Sequence, residues 1–138
     1  MTELPSTVWV TGYHTANDGA FGSHFFKKVT DTGQVDNGGT IIRTVNGVYE
    51  LQYSGAVNVK WFGADNTGIT NSIPAIEASI VYAKSINCNI LAQRGTYLIE
   101  STLTIENCMV DFFSCNKRGR SRLIGFVSLF SLYADIFT

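Results

Sequence analysis

Between Val59 and Ile80 the chain reads VKWFGADNTGITNSIPAIEASI. An alternating apolar run gives way to a small Asp/Asn/Gly/Thr loop, and the loop gives way to a helical pattern behind Ser72, Ile73 and Pro74. No other feature constrains the fold as much, because short β-like runs lie on both sides of it and no long helical pattern returns after Asn89. Ser72 is placed to accept a hydrogen bond from the first helical turn, Pro74 has no amide to leave unpaired there, and Glu77 favours the positive end of the helix dipole. Ile73, Ile76, Ile80 and Ala83 recur at spacings of three and four, so one stripe is apolar, and Ser85 through Asn89 supplies the stop. The spacing predicts one helix over about residues 73–85.

Upstream, β-branched and aromatic runs are fenced by turn residues. Thr7–Tyr13, Phe21–Val29 and Thr40–Val45 read as strands, separated by Ala16–Gly19, by Asp31–Gly33 and by Asp36–Gly39. Asn46-Gly47 stands between Thr40–Val45 and Val48–Tyr53 and predicts a two-residue hairpin. Ala56–Phe62 reads as one more strand, with Val57, Val59 and Trp61 on one face and Asn58 and Lys60 on the other. After Asn89 come NILA, GTYLI, TLTI, MVDFF, SRLIGF and VSLFSLY, short runs that periodicity allows to meander as an antiparallel sheet or to wind as a solenoid. The apolar end from Leu123 reads as buried strand, too short to cross a bilayer as a helix.

Composition narrows the function classes. The formal net charge of −1 gives no basic field for nucleic acid or an anionic membrane, so neither is expected as a partner. Cys88, Cys108 and Cys115 are three, with no CxxC and no paired-His segment, which predicts free thiols and neither a metal site nor a cofactor. His14 and His24, with Asp18 between them, fall in turns and strands and give no ligand set. The start MTELPSTVWV lacks the apolar length of a signal peptide.

The segment VNVKWFGADNTGITNSIPAIEASIVYAKS with the following ILAQRGTYLIESTLTI resembles the opening segment of the pectate-lyase-like superfamily found in phage tailspikes. Phe62, Gly63 and Ala64 match a Phe-Gly-Ala motif that ends a strand, Ala75 and Ile76 match the helix start, and Gly95, Thr96 and Tyr97 match a Gly-Thr-Tyr motif that starts a right-handed parallel β-helix. GYHTANDGAFGSHFF and DNGGTIIR are similar to the segment that precedes these motifs in phage tail fibres and tailspikes. Asn71 and Ser72 stand where the family has paired aspartates, and Gln93 and Arg94 where it has Pro-Ala, so the usual acidity of the loop is lost. The resemblance implies a mainly β chain: a small N-terminal β-subdomain with a hairpin over residues 1–55, then a helix-capped start of a parallel β-helix over 56–138. An open solenoid exposes its apolar interior and an unpaired edge, which calls for a terminal cap. The expected cap and structural residues are Phe62, Gly63, Ala64, Ser72, Pro74, Ile76, Ile80, Gly95, Thr96 and Tyr97.

Two carboxylates flanking a glycosidic bond can act as acid, base or nucleophile. Glu100 and Glu106 flank Thr102–Ile105, and Asp111 follows, but no motif links these weak candidates to the family's catalytic positions, which lie on later coils. No catalytic residue is therefore assigned. Lys117, Arg118, Arg120 and Arg122 put four cations within six residues and could meet phosphate or acidic glycan, although a solvated turn around Gly119 explains them as well. Asp65, Asn66 and Thr67 could hold calcium or touch a sugar, or simply build the loop. Trp9, Tyr13, Trp61 and Tyr97 could stack on sugar rings, but alternating strands more often bury them.

The expected role is a phage virion component: the N-terminal part of a tailspike or tail fibre, trimeric and in contact with other tail proteins. It would cap and organise a shaft involved in recognising host surface polysaccharide. Its expected location is the phage tail, after synthesis in the bacterial host cytoplasm. A polysaccharide depolymerase with a site between subunits, and a small interaction protein that uses an exposed β-helix end, are the alternatives.

Overall fold

The computed structural model describes residues 5–93, 95–105, 110–111 and 122–129. The chain divides into two compact units, Met1–Ser54 and Gly55–Thr138.

The first unit is a four-stranded antiparallel sheet in the order β1-β2-β4-β3, formed by Thr7–Trp9, Phe25–Val29, Gly47–Gln52 and Ile41–Thr44 respectively. Its strands are shorter than the apolar runs suggest, because aspartate and asparagine side chains take over the flanking backbone. Asp18 accepts the amides of Tyr13, His14 and Thr15 on Oδ2 and that of Ala20 on Oδ1, so the segment after Trp9 folds into turns. Asn37 Oδ1 accepts the amides of Gly39, Thr40 and Ile41. The β3–β4 hairpin forms as expected, but its two turn residues are Val45 and Asn46. Gly47 pairs with Thr44 as the first residue of β4 and carries the positive φ of 130°. Alternation then buries Phe26, Tyr49 and Leu51 on one face.

The second unit contains two three-stranded parallel sheets, β5-β7-β9 and β10-β8-β6. The chain visits them alternately. β5 (Val57–Asn58) is followed by β6 (Thr67–Asn71), β7 (Ile90–Leu91) by β8 (Thr96–Ile105), and β9 (Val110–Asp111) by β10 (Arg122–Leu129). Val57 sits opposite Ile90 and Ile90 opposite Val110; Thr67 sits opposite Thr96 and Thr96 opposite Arg122. The pairing in both sheets is parallel, which excludes an antiparallel meander for these strands.

Three expectations need correction. The strand expected over Ala56–Phe62 stops at Asn58 and becomes a 3-10 helix, Val59–Phe62, with all four side chains buried, Lys60 included. Asn58 Oδ1 accepts the Lys60 amide at 2.9 Å and Gly63, at φ 93°, ends the turn, so local capping overrides the alternation. The loop expected between Phe62 and Ser72 holds β6, whose pairing with β8 comes from distant sequence. The helix α1, Ile73–Ser85, lies where the spacing puts it with Ser72 at its N-cap, yet the Ser72 hydroxyl makes no capping bond: the Ile73 amide donates to Asn71 Oδ1 at 3.2 Å, and Glu77 falls beyond the first turn.

The apolar stripe of α1 is buried throughout, with Ile76 fully inaccessible, and the helix packs against the 3-10 helix, β5, β7 and β8. Phe62 and Tyr82 meet with ring centres 5.9 Å apart. Ile76→Asp would place an unpaired charge at the centre of this contact, at a cost of about 4 kcal/mol or more. Expression trials should recover the variant in the insoluble fraction, and a soluble variant with an unchanged thermal midpoint would contradict the packing.

Candidate functional site

The sequence motifs converge where β6 meets β8. Gly63 turns the chain, Ala64 is buried behind it, and Asp65 enters the loop. The Asp65 carboxylate then organises the strand that follows. Oδ1 accepts the Thr67 amide at 2.9 Å and the Thr67 hydroxyl at 2.6 Å, and Oδ2 accepts the amides of Thr70 at 2.8 Å and Ile69 at 3.2 Å. β6 pairs with β8 at Thr67 and Asn71 and is irregular between them, so its middle would otherwise leave these amides without a ladder partner. One side chain closes the bulged edge. Burial opposes ionisation of Asp65, but the Thr67 hydroxyl and the three amides outweigh it and hold the carboxyl down at about 2.

The Ser72 hydroxyl serves this loop, while its carbonyl accepts the Ile76 amide of the helix at 3.0 Å. Its hydroxyl accepts the Asp65 amide and donates to the Asp65 carbonyl, both at 3.1 Å, while its own amide donates to the Leu98 carbonyl at 2.9 Å. Pro74 occupies the first turn of α1, as its missing amide requires.

Gly95 and Thr96 complete the junction. The Thr96 amide donates to the Asn66 carbonyl at 2.8 Å, and a Cβ on Gly95 would lie 2.4 Å from that same oxygen. Close backbone approach thus requires the glycine at position 95. Tyr97 is fully buried, its hydroxyl donates to the Gln93 carbonyl at 2.7 Å, and burial together with the Asp65 charge pushes its pKa up. Lys60 Nζ reaches Asn66 Oδ1 at 3.3 Å. Phe62, Gly63, Ala64, Ser72, Ile76, Ile80, Gly95, Thr96 and Tyr97 therefore belong to one contiguous packing and hydrogen-bonded region.

The chemical candidates fall on separate elements or outside the described residues. Glu100 is exposed on β8, Asp111 lies on the two-residue β9 opposite Leu91, and Glu106 lies outside the described residues. Lys117, Arg118 and Arg120 also lie outside them, and Arg122 opens β10 opposite Thr96. Cys88 is a free thiol, while Cys108 and Cys115 fall outside. Among the described residues no group of three or more His, Cys, Asp or Glu could hold a metal, and no helix is long and apolar enough to cross a membrane.

The first unit holds a feature that the sequence reading missed. Val8, Val10, Phe26, Ile42, Thr44 and Tyr49 line an apolar hollow of about 100 Å³ on one face of the sheet. A second hollow of about 180 Å³ adjoins it at Val10, Phe26 and Ile42 and extends to Tyr13 and Phe21. Trp61 and Tyr97 are core residues, but Trp9 and Tyr13 are exposed, contrary to the burial that alternation suggests. The signal was available in the shortness of the first run: three strand residues at a sheet edge cannot bury an indole on both sides.

Comparison with known proteins agrees with this architecture. Residues 2–54 match the family of the phage tail protein small four-stranded beta-sheet domain. No curated protein matches. The fold is similar to the tailspike protein of Acinetobacter phage vB_ApiP_P1, with a TM-score of 0.67, 18% identity, and coverage of 99% of this chain and 26% of that one. It is also similar to tailspike protein 2 from Escherichia coli O157:H7 bacteriophage CAB120 (TM-score 0.56, 19% identity, 91% and 21% coverage). A third similar structure is the enzymatically active domain of bacteriophage CBA120 tailspike protein 2 (TM-score 0.53, 19% identity, 88% and 23% coverage). The chain spans about a quarter of the length of these tailspikes. The first unit thus matches a phage-tail domain family over residues 2–54, and the fold of the chain is similar to parts of phage tailspikes.

Asp65→Asn tests the edge closure. An amide keeps one acceptor oxygen and turns an NH2 group towards donors, so the variant should lose about 1–2 kcal/mol at pH 7, read from urea midpoints. A carboxyl lowered from 3.8 to about 2 adds stability that is fully present above the unfolded value and disappears as pH falls through about 2. The gap between the two proteins should therefore narrow towards pH 2, where the protonated acid has also lost an acceptor. A gap of constant size would exclude the ionised carboxylate as its source.

Proposed function

We infer that this phage-tail chain is a virion structural component, the N-terminal part of a tailspike or tail fibre whose second unit starts and caps a right-handed parallel β-helical shaft. The observation that carries this reading is the alternation of strands between two parallel sheets, each strand paired with its predecessor in that sheet, with α1 inserted between β6 and β7. A helix in that position covers the apolar end that an unfinished stack of parallel strands would expose. The bulge and the Asp65 carboxylate close the neighbouring edge of β6 against strand addition. Neither device needs a substrate, a cofactor or a metal.

The proposed role extends to the whole particle. The similar proteins are tailspikes, so this chain works in the phage tail, next to other tail proteins, in a particle that recognises host surface polysaccharide. Three copies assemble around the shaft, and the strand run after Arg122 supplies part of their contact. Host cytoplasmic synthesis precedes assembly.

A depolymerase reading has one observation in its favour, the similarity to a tailspike domain described as enzymatically active. Glu100, exposed on β8, would then be the carboxylate to test. Capsule degradation by the purified chain, abolished by Glu100→Gln, would favour that reading over a structural one.

Light scattering on the purified protein tests the structural reading. A mass of three times 15.1 kDa is expected. A monomer at micromolar concentration would count against a shaft element.

A further inference from the structure

Two edge strands are closed by side chains from the loop that precedes each. Asp65 takes the amides of Thr67, Ile69 and Thr70 on β6, and on β3 the amides of Ile41 and Arg43 donate to Asn37 Oδ1 and Asp36 Oδ2, both at 2.9 Å. The far edge of the four-stranded sheet, β1, is built differently. The Lys28 amide donates to the Ser6 carbonyl at 2.7 Å, which sets the phase of the ladder. With Val8 opposite Phe26, Ser6 and Val8 face β2, and the N–H and C=O groups of Thr7 and Trp9 point away from the sheet. They meet no hydrogen-bond partner among the described residues.

Soluble proteins blunt such an edge with charge, bulges or a covering segment. From Pro5 to Asn17 the sequence PSTVWVTGYHTAN holds no Asp, Glu, Lys or Arg, and the β1–β2 register has no shift. Side chains on both faces add to the invitation. Trp9 is 62% exposed and rests 5.1 Å from the Phe25 ring on one face. Val8 and Val10 open onto the two apolar hollows on the other.

We propose that β1 is an acceptor edge, to which an extended, uncharged segment of another tail protein adds as a fifth strand. This rests on the reading of the chain as a tail component and names the surface and the partner chemistry that reading leaves open. Main-chain hydrogen bonds to Thr7 and Trp9 supply the pairing. Alternate apolar residues of the added strand lie beside Val8 and Val10 on one face and beside the indole on the other. An edge without charge matches a partner held by main chain and apolar contacts, so the association is insensitive to salt. A second copy could use the same edge only across a two-fold axis, with Thr7 opposite Trp9 of the second copy, and a three-fold shaft supplies no such axis.

The test uses the full chain and, as probe, a fluorescein-labelled peptide STVWVTG, the sequence of residues 6–12, which has the required alternation and can pair with Thr7 opposite Trp9. Binding read by anisotropy should change less than about twofold between about 0.1 and 0.5 M salt. Thr7→Pro removes one outward amide and spares the β1–β2 ladder, so it should weaken the peptide about tenfold with an unchanged thermal midpoint. Amide exchange on the unsubstituted protein needs no variant: adding peptide should slow Thr7 and Trp9 about tenfold. Absent binding, unchanged exchange at these two amides, or full binding to Thr7→Pro overturns the proposal. A fall in assembly mass on Thr7→Pro also overturns it, since a second copy would then be the occupant. A monomeric mass with intact peptide binding supports the edge and counts against the trimeric shaft alone.

Discussion

The Asp65 carboxylate is the interaction on which the second unit depends. It faces the amides of Thr67, Ile69 and Thr70 and the Thr67 hydroxyl, and so gives an irregular strand the hydrogen bonds that a neighbouring strand would otherwise provide. Without it, the start of a parallel stack would present unpaired donors. With it, β6 can end the sheet while remaining joined to β8 at Thr67 and Asn71. Ser72 ties the backbone of Asp65 to the far end of the same loop, so position and orientation of the carboxylate are fixed together.

Other features follow from that closure. The Asn66 carbonyl is left free to accept the Thr96 amide, which brings the backbone of Gly95 too close to admit a side chain. The approach in turn buries Tyr97 beside a negative charge, where it stays protonated. Asn71, at the end of β6, receives the first amide of α1 and thereby sets the direction in which the helix leaves. The helix then lies over the 3-10 helix and β8, and its apolar stripe is buried. Loop chemistry, edge protection and helix packing are one arrangement.

Legibility in the sequence tracked how local each cause is. Helix α1 was readable because its stripe and Pro74 act within one segment. The hairpin was readable for the same reason, although the turn uses Val45-Asn46 and leaves Gly47 in the strand. VNVKWF looks like a strand, since alternation cannot show that Asn58 will accept the Lys60 amide and bend the chain into a 3-10 turn. β6 was hidden because TGIT between polar residues resembles loop and its partner, Thr96, is 29 positions away from Thr67. Asp65 was visible as a turn former but not as the residue that closes an edge, because the edge exists only after β8 has paired. The Ser72 hydroxyl was misassigned for a similar reason: a serine before a helix caps it with its side chain unless tertiary structure takes the hydroxyl elsewhere.

The most direct measurement is residue-resolved amide exchange at Thr67, Ile69 and Thr70. These amides sit on an outer edge and point to no neighbouring strand, so ordinary solvent exposure would let them exchange freely. Closure by Asp65 predicts exchange at least about tenfold slower than in an unstructured chain at neutral pH. Exchange at the unstructured rate, with Thr96 still protected by its bond to Asn66, would contradict the account: β8 would be in place and the edge open.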